Sequence, residues 1–190
     1  MEKASKFILP LVCALLISPL FIVLHELGHY LAGRSLGWTA NVRYQETQLT
    51  RTEQATPRDE ILVTSSGPMV SAFLAAIGFI WLRASRLSRL DSIPTPADWL
   101  ATTMLVMNVA RWLRCFIGLP SNDENWLSRA TGLPGWLLPF CLGAVAIVAL
   151  IATVRLHPRG SRLVPFLCLA AGGVVGSGLW LTVLGPVLLP

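Results

Sequence analysis

From Phe7 to Ala32 the chain carries no lysine, arginine or aspartate, and its one carboxylate there is Glu26. A helix needs roughly 20 consecutive apolar residues to cross a bilayer, so this run alone is long enough. Four more apolar runs follow, at 61–82, 98–117, 136–154 and 163–190. Charged residues make up only 13% of the chain, against roughly 25% in soluble domains. The pattern predicts an all-α polytopic membrane protein with about five transmembrane helices. No connector is long enough to separate a pair of domains, so 1–190 reads as one membrane-embedded unit.

The formal net charge is +5. The basic residues punctuate the apolar runs and form no patch, which argues against a nucleic-acid partner and for loop ends anchored at a lipid bilayer. They divide eight against seven between the two sides, so they assign no orientation. Cys13, Cys115, Cys141 and Cys168 form no CxxC pair and read as small core hydrophobes. The first run is too long for a signal-peptide core and lacks an A-x-A cleavage pattern. A cellular membrane, inner or plasma, is the expected location.

The longest polar stretch is 33–60. Within it, NVRYQETQLT (41–50) alternates weakly, with Val42 and Tyr44 on one face, and fits either a short β-hairpin or a solvated loop. Pro57 should break the chain, Pro19 should kink the first helix, and Gly67-Pro68 should distort the start of the second. Gly67, Ser71 and Ala75 recur every four residues, as do Gly172 and Gly176, spacings that let helices approach closely, within the chain or between copies. Ser121 or Asn122 is placed to cap a short helix starting DENWLSRA, which Gly132 and Pro134 should end.

The chemistry concentrates in FIVLHELGHYLAG, Phe21 to Gly33. His25 and His29 fall on one helical face, roughly 5 to 6 Å apart. Two imidazoles so placed can ligate one Zn²⁺, and Glu26 points beside the metal, where a carboxylate can move a proton from attacking water to a leaving amine. Of ten acidic residues, Glu26 alone lies deep in an apolar run. Burying it unpaired is costly, so a functional reading outweighs that of a polar packing cluster. A catalytic zinc site wants a third protein ligand. His157, in the basic turn RLHPRG, reads as interfacial, which leaves Asp91, Asp98, Asp123 and Glu124. Asp123 follows the third run, where Gly118 and Pro120 can turn the chain back, and Glu124 is next in line. The competing reading puts both acids at a helix N-terminus, where the dipole favours negative charge.

HELGH at the end of a first spanning helix resembles the site-2 protease family of intramembrane zinc metalloproteases. That family starts its second helix near a GPxxN-like motif; here Gly67, Pro68, Met69, Val70 and Ser71 put serine in place of asparagine. Its third ligand is an aspartate after an Asn- and Pro-containing segment, often followed by glycine; here Asn108, Pro120 and Asp123 run in that order and Glu124 replaces the glycine. The resemblance spans roughly 20–127. It implies a three-helix catalytic core, about 7–131, with two further helices at 136–190. It also implies one Zn²⁺ per chain on His25, His29 and Asp123, with Glu26 as base and acid, and cleavage of membrane-spanning protein substrates. Ser71 or Asn108 would stabilise the oxyanion, or else join two helices. A strand-like element after the first helix would hold extended substrate, a role 41–50 suits. With no room for an inserted PDZ-type domain, substrate selection would fall to helices, loops or a partner protein. The alternative expectation is a non-proteolytic membrane binding or regulatory protein retaining this architecture. A small transporter fits less well, because no internal repeat is present.

Overall fold

In the computed structural model, which describes residues 2–87, 93–114, 123–158 and 162–190, the first helix α1 runs Glu2–Ser35 with Pro10 and Pro19 inside it. Cys115, Asp91, Gly118, Pro120, Ser121 and Asn122 lie outside the described residues. A Schellman motif ends α1: the N–H of Trp38 donates to Gly33 O at 2.9 Å and that of Gly37 to Arg34 O at 3.1 Å. Gly37 supplies the left-handed φ of +77°. Buried Trp38 then leads into a hairpin of β1 (Thr39–Val42) and β2 (Thr47–Thr50), antiparallel, with Thr39 opposite Thr50 and Val42 opposite Thr47. The hairpin reading therefore holds over the loop reading, although Tyr44 sits in the turn and not on a strand face with Val42.

The second helix, α2, spans Pro57–Leu87. Pro57 opens it, as proline does at a first helical position. Gly67 and Pro68 consequently lie well inside the helix and not at its start. The third helix, α3 (Pro96–Arg114), is shorter, and α4 (Asp123–Ala130) is the short helix expected from DENWLSRA. Two long helices close the chain. These are α5 (Leu137–Leu156) and α6 (Leu163–Leu179), the latter running on through a π-helical turn at Trp180–Leu184 into α7 (Gly185–Leu188).

Among the described residues, four helical segments are long and apolar enough to cross a membrane: Phe7–Ser35, Pro57–Ser85, Leu137–Leu156 and Leu163–Leu188. Their outer faces are strongly apolar, with Leu16, Phe73, Ile80, Val148 and Val174 all exposed, a surface a soluble monomer avoids. The run at 98–117, expected as a fifth span, behaves differently. Asp98, Thr102, Thr103 and Asn108 interrupt α3, and all four are buried. The helix lies among its neighbours: Ala101 and Leu105 pack with Ala75, Leu82 and Leu156, Trp99 packs with Cys13, Ala14 and Leu169, and Val109 packs with Ala146. Protein, not lipid, solvates α3, so polar residues cost it little once paired. Asp98 shows the pairing, accepting from Ser85 Oγ at 2.7 Å and from the Thr95 N–H at 2.9 Å.

Helix α6 lies along α1. A Cβ on Gly172 would meet the Leu11 carbonyl oxygen, and one on Gly176 the Leu15 carbonyl oxygen, so this glycine pair serves packing within the chain. Helix α5 packs on α3 in turn, Ala146 against Val109. His157 also departs from its sequence reading. It is buried against Trp99 and Phe166, ring centroids 5.0 and 5.5 Å away, with Nδ1–H donating to Thr153 O at 3.1 Å.

Overpacking a tight contact costs about 1–3 kcal/mol. Gly176→Leu is expected to lose that much, seen as a lower Tm in detergent. Gly178→Ala, where a Cβ meets nothing within 4 Å, should hold or raise Tm. Equal Tm values for Gly176→Leu and wild type would show that α1 and α6 do not depend on this contact.

Candidate metal centre

The HELGH segment sits in the last third of α1, and its histidines face α2. His29 Nδ1–H donates to the Val63 carbonyl at 2.8 Å, since a carbonyl can only accept, and this leaves Nε2 of the neutral ring with a free lone pair. His25 Nδ1 lies 2.9 Å from Ser71 Oγ, one helical turn beyond Gly67, and a donating Nδ1–H leaves Nε2 as the acceptor, which Arg111 Nη1 approaches to 2.6 Å. The rings stand edge to face, with centroids 4.9 Å apart. Such outer contacts fix tautomer and ring orientation in metal-binding histidines.

The two Nε2 atoms are 3.2 Å apart, and Asp123 Oδ2 lies 3.1 Å from His25 Nε2 and 3.4 Å from His29 Nε2. Three donors about 2.1 Å from a tetrahedral zinc ion lie roughly 3.4 Å from one another. The triangle formed here is one face of such a tetrahedron, and the donor set of two imidazoles and one carboxylate suits zinc. Gly67 makes room for it, because a Cβ there would overlap His29 Nε2 and stand 2.7 Å from His25 Nε2. Gly28, inside the motif, performs the same service for the helices: a Cβ would lie 2.8 Å from the Ser66 carbonyl oxygen.

Charge gives a second measure of fit. Buried Glu26 and Glu124 and half-buried Asp123 place three carboxylates at one locus, and Arg111 brings one cation, with Nη2 2.9 Å from both Asp123 Oδ2 and Glu124 Oε1. A dication balances the two charges that remain.

Asp123, not Glu124, joins the histidines. The two are consecutive in the first turn of α4, so their side chains diverge by about 100°. One faces the imidazoles, and the other, fully buried, receives the Arg111 Nε–H at 3.0 Å. Asp98 is drawn away to Ser85 and Thr95. Ser71 and Asn108 are both buried and stand behind the histidines, with Asn108 Nδ2–H donating to the Ser71 carbonyl. Of the two roles left open for them, the structure shows the helix-joining one. Glu26 lies on the cavity side, where the Thr47 hydroxyl is 3.0 Å from its Oε2 and 2.8 Å from its carbonyl oxygen.

All four motif residues, His25, Glu26, His29 and Asp123, open on a cavity of about 940 Å³. Thr47 and Leu49 of β2 form one section of its wall, and Gly173, Val174 and Gly178 of α6 another. Three contributors escaped the sequence reading: Arg111, Gly67 as the space for the donors, and Thr47. Arg111 carried a usable signal, a charge about one turn past Asn108 and still inside the third apolar run. No protein-family model, curated protein or solved structure matches the chain.

Loss of an outer contact to a metal ligand typically weakens metal affinity about 10–100-fold. Ser71→Ala is expected to weaken Zn²⁺ binding by that factor in competition with a chromophoric chelator. Gly67→Ala, which puts a methyl among the donors, should weaken it further. Unchanged affinity in both variants would place the zinc elsewhere.

Proposed function

We propose that this chain is a zinc-dependent intramembrane endopeptidase, a hydrolase of the site-2 protease type, acting on membrane-spanning protein segments from within a multi-pass inner or plasma membrane. The observation that carries the reading is the His25–His29–Asp123 donor triangle, with Glu26 beside it, opening on one cavity within a bundle of membrane-length helices.

His25, His29 and Asp123 would hold one Zn²⁺, which when bound supplies Lewis acidity and lowers the pKa of water to about 7. The chain's own residues do the rest. Glu26 takes a proton from the attacking water as its oxygen bonds to the scissile carbonyl carbon. When the C–N bond breaks, Glu26 returns that proton to the departing amine, leaving a carboxylate and a free amine. Thr47 holds the Glu26 carboxylate, and through it β2 is joined to the catalytic turn of α1. An unwound substrate segment adds to the unpaired edge of β2, as extended peptides do at exposed sheet edges. The small and apolar residues of α6 receive its side chains. Substrate choice would come from these walls or from a partner protein.

The test compares wild type with Glu26→Gln on a panel of single-span substrates, with zinc per chain measured on both. Glu26→Gln is expected to retain zinc and to lose cleavage by at least about 10²-fold. Asp123→Ala should lose zinc as well as cleavage. A wild type that binds zinc but cleaves nothing across the panel favours a non-proteolytic binding or regulatory protein with the same architecture. A wild type without zinc sinks both readings.

A further inference from the structure

The proposed hydrolysis needs a donor for the carbonyl oxygen as it gains negative charge, and the residues read for that task from the sequence are committed elsewhere. Ser71 contacts His25 and Asn108 donates to Ser71's carbonyl; both are essentially inaccessible, and neither lines the cavity. Among the described residues lining that cavity, Arg111 is the one lysine or arginine. Its guanidinium borders the donor triangle. Nη1 lies 2.6 Å from His25 Nε2, while Nη2 lies 2.9 Å from Asp123 Oδ2.

The group is also held from behind. Glu124, fully buried, receives Nε at 3.0 Å and Nη2 at 2.9 Å through the same Oε1. A two-point contact fixes the plane of a guanidinium as a single charge cannot. Nη1 is thereby held against the His25 ring, 2.5 Å from Nδ1 and 2.6 Å from Nε2, at the edge of the cavity that Arg111 lines. Fixed donors in a low-dielectric site stabilise developing charge without reorganising during the reaction.

We infer that Arg111 is a catalytic residue, donating an N–H to the oxygen of the scissile carbonyl as it becomes tetrahedral, and that Glu124 is the positioning residue that aims it. The inference rests on the proposed peptidase reading. In the step, the carbonyl π pair moves to oxygen beside Arg111 as water's oxygen bonds to carbon. The pair returns when the C–N bond breaks, and Arg111 keeps all its protons throughout. This gives Glu124, where the resemblance expects glycine, a task other than ligation.

The experiment uses the full-length zinc-loaded protein in detergent and the variants Arg111→Met, Arg111→Lys and Glu124→Gln. Zinc per chain, kcat and KM, and the affinity of a phosphinic peptide, a tetrahedral mimic of the reacting carbonyl, are measured on each. Arg111→Met is expected to keep its zinc, to lose about 10²–10³-fold in kcat with KM little changed, and to bind the phosphinic peptide correspondingly more weakly. Arg111→Lys should recover some of both losses. Glu124→Gln should keep zinc and fall between wild type and Arg111→Met in kcat and in phosphinic-peptide affinity. If Arg111→Met does not fold, Arg111→Lys and Glu124→Gln carry the test by the same measures. Variants with wild-type kcat and phosphinic-peptide affinity overturn the inference and leave the peptidase reading intact. Zinc lost in step with activity overturns it too, making Arg111 a support of the metal centre only. A wild type that neither binds zinc nor cleaves removes both.

Discussion

The hydrogen bonds that tie the histidine face of α1 to α2 are the contacts on which the rest depends. Imidazoles inside an apolar helix need polar partners, and water is scarce there. His29 finds the Val63 carbonyl and His25 finds Ser71. Both bonds require the two helices to come close, which Gly28 on one side and Gly67 on the other permit. Once α1 and α2 are set at that distance, both Nε2 atoms are turned to one point. The remaining groups are brought to it: Asp123 from the start of α4, Arg111 from α3 and Thr47 from β2. A single polar requirement thus organises an otherwise apolar bundle.

Much of this was legible in the sequence because the signals were local. The i, i+4 histidine spacing and Glu26 lie within two turns of one helix, and apolar run length alone located the long helices. The hairpin was half legible, since alternation over a few residues fits a loop as well. What stayed hidden depends on which neighbour each side chain meets. Asn108 and Ser71 carry donors suited to an oxyanion, but nothing local says that Asn108 is spent on the Ser71 carbonyl. Adjacent acids at 123 and 124 look interchangeable until the helix phase of α4 separates them. The polar residues of α3 also gave no local sign of their partners: Asp98 and Thr102 are satisfied because protein encloses that helix.

The polar residues of α3 show the complementary side of the same rule. A lipid-facing helix would exclude Asp98, Asn108 and Arg111. An enclosed one can carry them, provided each is met by a partner on another element. The centre of the bundle is therefore where charge can be kept, and among the described residues the cavity draws its one arginine from that helix.

The hairpin turn has a second attachment. The indole N–H of Trp180 donates to the Tyr44 carbonyl at 2.7 Å, and the Tyr44 N–H donates to the Leu189 carbonyl at 3.1 Å. A Cβ on Gly185 would stand 2.5 Å from Tyr44 Cβ, so the turn rests directly on the end of the last helix. Helix α6, which runs on into it, contributes Gly173, Val174 and Gly178 to the cavity wall. Among the described residues, Tyr44 thus joins the hairpin turn to the C-terminal end of the helical segment that continues α6. Helix α6 is therefore fixed twice, along its length by α1 at Gly172 and Gly176 and, past the π-helical turn at Trp180–Leu184, by the hairpin turn, so the strand and helix that wall the cavity share one anchorage remote from the donor triangle.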